Sequence, residues 1–103
     1  MERLFIYGTL RDSDVQMKLI NRILAPVKSY LEGYIIKSII QGTHSYPIIS
    51  FTGNKDDIVP GDVVEVTERE LIVMDEYEGV EYERRNVRLT DGSTAWVYCW
   101  PDT

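Results

Sequence analysis

This 103-residue chain has one cysteine, one histidine and no excess of basic side chains. A lone cysteine, Cys99, cannot close an internal disulfide, and its apolar neighbours Tyr98 and Trp100 mark it as a packed thiol. A lone histidine, His44, set in a polar run at residues 41–45, leaves a catalytic triad or a His-based metal site with too few parts. It reads as a solvent-facing loop residue. Eleven basic residues against seventeen acidic ones give a formal charge of −6. That balance argues against nucleic acid and against an anionic membrane as partner, since both require a positive surface. No apolar run approaches the ~20 residues of a membrane span. No charged-then-apolar leader precedes Leu4-Phe5-Ile6, so the expected setting is cytoplasmic.

What is present suffices for one folding unit. Apolar residues form 44% of the chain, enough at this length for one core with no metal or disulfide framework, so residues 1–103 are expected to make a single domain. Leu4-Phe5-Ile6-Tyr7 has the composition of a strand buried on both faces. Val15, Leu19 and Ile23 fall four apart, with Ile20 and Leu24 beside them, which predicts a helix capped by Asp12 or Ser13 and stopped by Pro26. Residues 27–40, rich in β-branched and aromatic side chains around Gly33, read as one long or bent strand. Extended structure resumes over 46–51, where Pro47 restricts it to an edge or a strand start. Residues 52–57 are a turn by composition, and 62–66 form a further strand. Thr67 and Glu70 have the spacing of a capping box, opening a helix that carries Leu71, Met74 and Tyr77 and ends at Gly79. Two alternating strands, 82–89 and 94–100, flank the hairpin signal Asp91-Gly92. About six strands and two helices predict an α+β fold: a small curled mixed sheet or barrel with two flanking helices.

Chemistry has few places to sit. The glycine in Tyr7-Gly8-Thr9-Leu10 ends the first strand with no hairpin partner following; the turn either reverses the chain or presents backbone N–H groups to a ligand. Most carboxylates of Met74-Asp75-Glu76-Tyr77-Glu78 read as solvated helix surface. Glu78 differs, because it occupies the last helical turn, where backbone carbonyls disfavour a carboxylate by about 0.3–1 kcal/mol. An upward pKa push there, added to burial, makes a glutamate usable as a general base near neutrality. Asp75, three residues earlier, is placed to bond backbone or an arginine. Tyr82 and Arg84 share one strand face and Arg85 takes the other; either arginine can pair with Asp75 or Glu78 or form a plain surface ion pair. Ser13 reads as a helix cap before a nucleophile.

Tyr7-Gly8-Thr9-Leu10, together with Met74-Asp75-Glu76-Tyr77-Glu78 and Tyr82-Glu83-Arg84, resembles the gamma-glutamylcyclotransferase-like family, nearest its short gamma-glutamylamine cyclotransferase type. Gly33, Tyr46-Pro47 and Pro60-Gly61-Asp62-Val63 fall where that family places similar residues. The resemblance implies a small curled sheet or barrel flanked by helices, and a reaction in which a γ-glutamyl substrate's α-amine attacks its own γ-carbonyl, releasing 5-oxoproline and an amine. It implies that Glu78 is the acid/base and that Tyr7, Gly8, Thr9 and Leu10 bind substrate through their backbone. Tyr82 is a candidate to bond the substrate or Glu78, with packing the alternative. No metal or cofactor is called for, because nucleophile and electrophile lie in one molecule. Val64 stands where relatives often carry a bulkier aromatic, so a different pocket wall or substrate preference is expected. The chain also lacks the C-terminal extension of longer relatives, which leaves part of the site open or shared with a partner chain, as in a homodimer. The competing reading is a non-catalytic module of the same fold that binds a small metabolite or a protein.

Overall fold

The computed structural model describes residues 1–100. Within them the elements run β1 (Glu2–Ile6), a 3-10 turn (Thr9–Arg11), α1 (Ser13–Ile20), β2 (Val27–Glu32), β3 (Tyr34–Gln41), β4 (His44–Phe51), β5 (Ile58–Val66), α2 (Glu68–Glu78), β6 (Glu83–Arg88) and β7 (Thr94–Cys99). The fold is α+β, with a seventh strand beyond the six expected. Five strands form a mixed sheet in the order β2-β5-β1-β7-β6, and β3 and β4 form a separate two-stranded ribbon.

β1 lies at the centre. It pairs antiparallel with β5, from Glu2 opposite Val66 to Ile6 opposite Asp62, and parallel with β7 at Leu4 and Trp96. Because side chains alternate along a strand, Leu4 and Ile6 join Val64, Val66 and Tyr98 on one face, where Leu71 and Met74 of α2 cover them. Phe5 joins Val59, Val63, Val97 and Cys99 on the other, where Tyr34 and Ile49 of the ribbon close over them. The expected single core is therefore two apolar layers divided by the sheet. Cys99 is buried, as its neighbours implied.

Several local expectations are corrected. The single strand over 27–40 is two strands, because Gly33 adopts φ 84° and swings the chain out of the main sheet into the ribbon. Its N–H donates to the Asp57 carbonyl at 2.8 Å, and its own carbonyl accepts from Thr52 N at 2.8 Å. The polar loop over 41–45 shrinks to a tight turn at Gly42-Thr43, so His44 is the exposed first residue of β4. β5 starts at Ile58 instead of 62, since β2 pairs with it as far as Glu32 opposite Ile58. β1 reaches only Asp62, so beyond that point one side of β5 needs no donor and Pro60 is tolerated.

The helix ends follow local chemistry. Asp12, and not Ser13, caps α1, its carboxylate accepting from Asp14 N at 2.9 Å. α1 stops at Asn21, in the left-handed region at φ 57°, well before Pro26. Two tertiary bonds hold the chain after this stop. Arg22 makes a two-pronged pair with Glu70, at 2.6 and 2.7 Å, and Leu24 N donates to the Gln16 side chain at 2.9 Å. Leu24 is thereby buried and Ile23 is left exposed. At α2 the capping box forms, with Glu70 N on Thr67 Oγ1 at 3.1 Å and Thr67 N on Glu70 Oε1 at 2.9 Å. Gly79 at φ 83° ends the helix, its N–H on the Asp75 carbonyl at 3.1 Å. Asp91-Gly92 turns the β6–β7 hairpin as its composition demanded, Asp91 accepting from Ser93 N at 2.9 Å. Among the described residues no helix is long and apolar enough to cross a membrane.

Where β5 crosses β1, a Cβ on Gly61 would stand 2.5 Å from the Ile6 carbonyl oxygen and 2.6 Å from Phe5 Cζ. Gly61→Ala is therefore expected to lower the urea midpoint by the equivalent of about 1–3 kcal/mol, at unchanged m-value. A wild-type midpoint would show that the two strands part without cost.

Candidate active site

A cavity of about 300 Å³ opens between the exit of β1, the C-terminal end of α2 and the ribbon. Tyr7, Gly8, Thr9, Leu10, Glu78 and Tyr82, the six residues named from the sequence, all line it. Tyr7 turns its ring into the Phe5 layer, and its hydroxyl donates to the Tyr98 carbonyl at 2.5 Å, anchoring the end of β1. Burial above all drives that hydroxyl's pKa far above its usual 10. Gly8 follows, and a Cβ there would lie 3.2 Å from Pro47 Cγ, so a larger residue would require the proline ring to give by a few tenths of an ångström. The 3-10 turn begins at Thr9, and its first hydrogen bond runs from Arg11 N to the Gly8 carbonyl at 3.0 Å. The N–H groups of Gly8, Thr9 and Leu10 precede that bond and so take no acceptor within the turn.

Two side chains hold the turn in place. Thr9 Oγ1 and Tyr77 Oη are hydrogen-bonded at 2.9 Å, which ties it to the helix residue preceding Glu78. From behind, Gln16 is 4% exposed and donates to the Leu10 carbonyl at 2.8 Å while accepting from Leu24 N. The apolar-stripe reading of α1 missed Gln16. A glutamine on the inner face of a stripe was the only signal available.

Glu78 and Asp75, one helical turn apart, have opposite surroundings. Asp75 receives Arg84 at 2.9 Å and the Tyr98 hydroxyl at 2.7 Å, and Arg84 also lies 4.4 Å over the Trp96 ring. Arg84 is thus the arginine that pairs with Asp75, while Arg85 pairs with Glu83 at 2.8 Å. Glu78 has burial and, among the described residues, no such ion pair or hydrogen bond, and its carboxyl is pushed from an ordinary 4.5 up to about 7. A carboxylate moved out of water resists ionisation when nothing charged or hydrogen-bonding compensates. Tyr82 precedes β6, donates to the Pro47 carbonyl at 3.0 Å and meets the Trp100 ring edge-on at 5.6 Å. Its hydroxyl therefore donates to the ribbon.

The remaining lining residues include Glu81, Tyr46, Tyr77, Tyr98 and Trp100, none of which was named for the site from the sequence. Val64, expected in the pocket wall, is 1% exposed in the layer under α2 and does not border the cavity. Among the described residues no group of three His, Cys, Asp or Glu side chains is placed to hold a metal ion.

The raised Glu78 pKa also sets a stability trend. Between pH 4.5 and 7 the folded chain keeps a proton that the unfolded chain releases, so this group's contribution to stability falls as pH rises and is constant above 7. Urea unfolding of wild type and Glu78→Gln across that range should show the variant gaining relative stability up to about pH 7 and no further. A difference independent of pH would mean that Glu78 titrates like an exposed glutamate.

A family model described as gamma-glutamyl cyclotransferase, AIG2-like, matches residues 4–103. AIG2-like protein D of Arabidopsis thaliana is 43% identical over 96 residues, covering 90% of this chain and 60% of that protein; the chain thus spans less than two thirds of its relative's length. A solution structure of another Arabidopsis thaliana protein matches with a TM-score of 0.78 and 31% identity, over 98% of this chain and 69% of that one. A structure of a gamma-glutamyl cyclotransferase matches with a TM-score of 0.75 over 98% of this chain and 67% of that one, and at 19% identity this is a likeness of fold. With the family model matching nearly its whole length, the chain belongs to the gamma-glutamyl cyclotransferase, AIG2-like family.

Proposed function

We propose that the chain cyclises γ-glutamyl compounds. One observation carries the reading: Glu78, a carboxylate whose proton affinity is raised by burial, borders the same cavity as residues 8–10, whose amides take no acceptor within their own turn. The substrate's α-amine forms a C–N bond to its own γ-carbonyl carbon, closing a five-membered lactam. The original γ-amide C–N bond breaks, and 5-oxoproline and an amine leave.

At neutral pH the α-amine, beside its own α-carboxylate, is an ammonium ion. Before it can attack, a base must take one proton. Glu78, at about 7, is close enough in pKa to accept that proton and to return it to the departing nitrogen. Tyr82 Oη has spent its own proton on the Pro47 carbonyl, so it faces the cavity as an acceptor suited to an ammonium N–H. Negative charge grows on the γ-oxygen during attack, and the α-carboxylate is negative throughout. The amides of Gly8, Thr9 and Leu10 are fixed donors for either group, and they cost no reorganisation when the charge appears. The apolar walls, Phe5, Ile6 and Leu10, keep competing water from these donors. Holding the extended glutamyl chain in a bent form supplies the rest, because ring closure is a matter of positioning.

Incubation with a panel of γ-glutamyl amines and γ-glutamyl peptides is expected to release 5-oxoproline, with kcat/KM rising as pH passes through about 7 and the base ionises. Glu78→Gln should lower turnover by at least ~100-fold while substrate still binds. Wild-type turnover in that variant would remove Glu78 from the mechanism. Binding without 5-oxoproline at any pH would make the chain a metabolite-binding module instead.

A further inference from the structure

The chemistry described above uses the floor of the cavity and leaves its mouth unexplained. Glu81 borders that mouth together with Tyr46, Tyr77, Tyr82 and Trp100. Among the described lining residues there is no lysine, arginine or histidine. Arg84, the basic side chain paired with Asp75 near this end of α2, also lies over the Trp96 ring.

Resting on the cyclisation reading, we propose that this mouth is a cation subsite, selecting γ-glutamyl amides whose departing amine carries a second, positively charged nitrogen. The geometry is that of a carboxylate set among aromatic faces. Glu81 Oε2 folds back over the end of α2, 3.2 Å from where a Cβ on Gly79 would stand. The carbonyls of the helix end add partial negative charge at the same place. Tyr82 reports how closely these groups gather. Its hydroxyl is pushed up to about 12, by burial first, and then by Glu78, Tyr46, Tyr77 and Glu81. Tyr46 and Tyr77 line the cavity while 39% and 42% exposed, so they stand at its solvent side and not in the core. Aromatic faces attract an alkylammonium ion, and an adjacent carboxylate adds to that attraction. A departing amino acid would instead bring its carboxylate towards two others, Glu78 and Glu81, with no basic side chain among the described lining residues to receive it. The leaving group is thus sorted by the charge at its far end, and Glu81 is the residue that sets the preference.

The test uses three γ-glutamyl amides of matched length, whose leaving amines end in an ammonium, a methyl or a carboxylate group. Wild type is expected to favour the ammonium-ended amide over the carboxylate-ended one by at least about fivefold in kcat/KM, the scale of a single partly exposed ion pair. Glu81→Gln should shrink that ratio, and Glu81→Lys should invert it. A wild type that prefers the carboxylate end, or a ratio unchanged in Glu81→Lys, overturns the subsite. If no amide yields 5-oxoproline, the cyclisation reading fails separately, and titrating the same amides by tryptophan fluorescence decides the subsite. Tightest binding of the ammonium-ended amide, lost in Glu81→Lys, upholds it. Equal binding of all three overturns it.

Discussion

Leu4, Phe5 and Ile6 are at most 2% exposed because β1 is covered on both faces, by the helices on one side and the ribbon on the other. That burial fixes β1 at the centre of the sheet, and strand direction then gathers the site. β7 runs parallel to β1, so both end on the same side, and Trp100 and Tyr7 line one cavity. β5 runs antiparallel, so Val66 finishes beside Glu2 at the far end. From there α2 travels back through eleven residues, roughly 16 Å of helix. Its last turn therefore arrives where β1 leaves the sheet, and Glu78 meets residues 8–10. The cavity is a consequence of how three elements must run once β1 is buried.

Within that cavity, environment alone separates two carboxylates on one helix. Asp75 pairs with Arg84 and accepts from the Tyr98 hydroxyl. Glu78, three residues later, borders a largely apolar and aromatic cavity whose described lining holds no basic side chain. The same helix thus carries one structural acid and one with the proton affinity of a neutral-pH base. Such a group weakens the fold wherever it is ionised. The capping box at Thr67 and the Arg22–Glu70 pair oppose that cost at the other end of α2, where Arg22 holds the Glu70 carboxyl at about 2. The proposed acid/base sits at the weaker end of the helix, and the stabilising pair at the stronger one.

The turn is rigid for a related reason. Its amides are useful only if they hold their direction before a ligand arrives. Tyr7 fixes the strand end through the Tyr98 carbonyl, Thr9 is tied to Tyr77, and Gln16 holds the Leu10 carbonyl from the buried side. These bonds reach from β7, α2 and α1, so the turn is braced by three separate elements. Gly8 allows the close approach to Pro47 that completes the wall.

Signals that act within a few residues were legible in the chain itself. The Thr67–Glu70 capping box, the stop at Gly79, the Asp91-Gly92 hairpin and the two-sided burial of β1 each depend on neighbours along the sequence. Glu78 stood out for the same reason, as an acid at the wrong end of a helix dipole. Other outcomes depended on partners distant in sequence. α1 ends at Asn21 and not near Pro26, where Arg22 and Leu24 are held by Glu70 and Gln16, and Gly33 splits a strand because β2 and β3 belong to different sheets. Val64 fell in the core and Glu81 and Trp100 on the cavity, though nothing in their immediate neighbours distinguishes these positions. By itself the sequence determined the elements, their caps and the candidate acid, since these arise from backbone geometry and short-range hydrogen bonds. Only the tertiary structure decided which side chains share the cavity and what charge surrounds them, because both follow from strand direction and long-range burial.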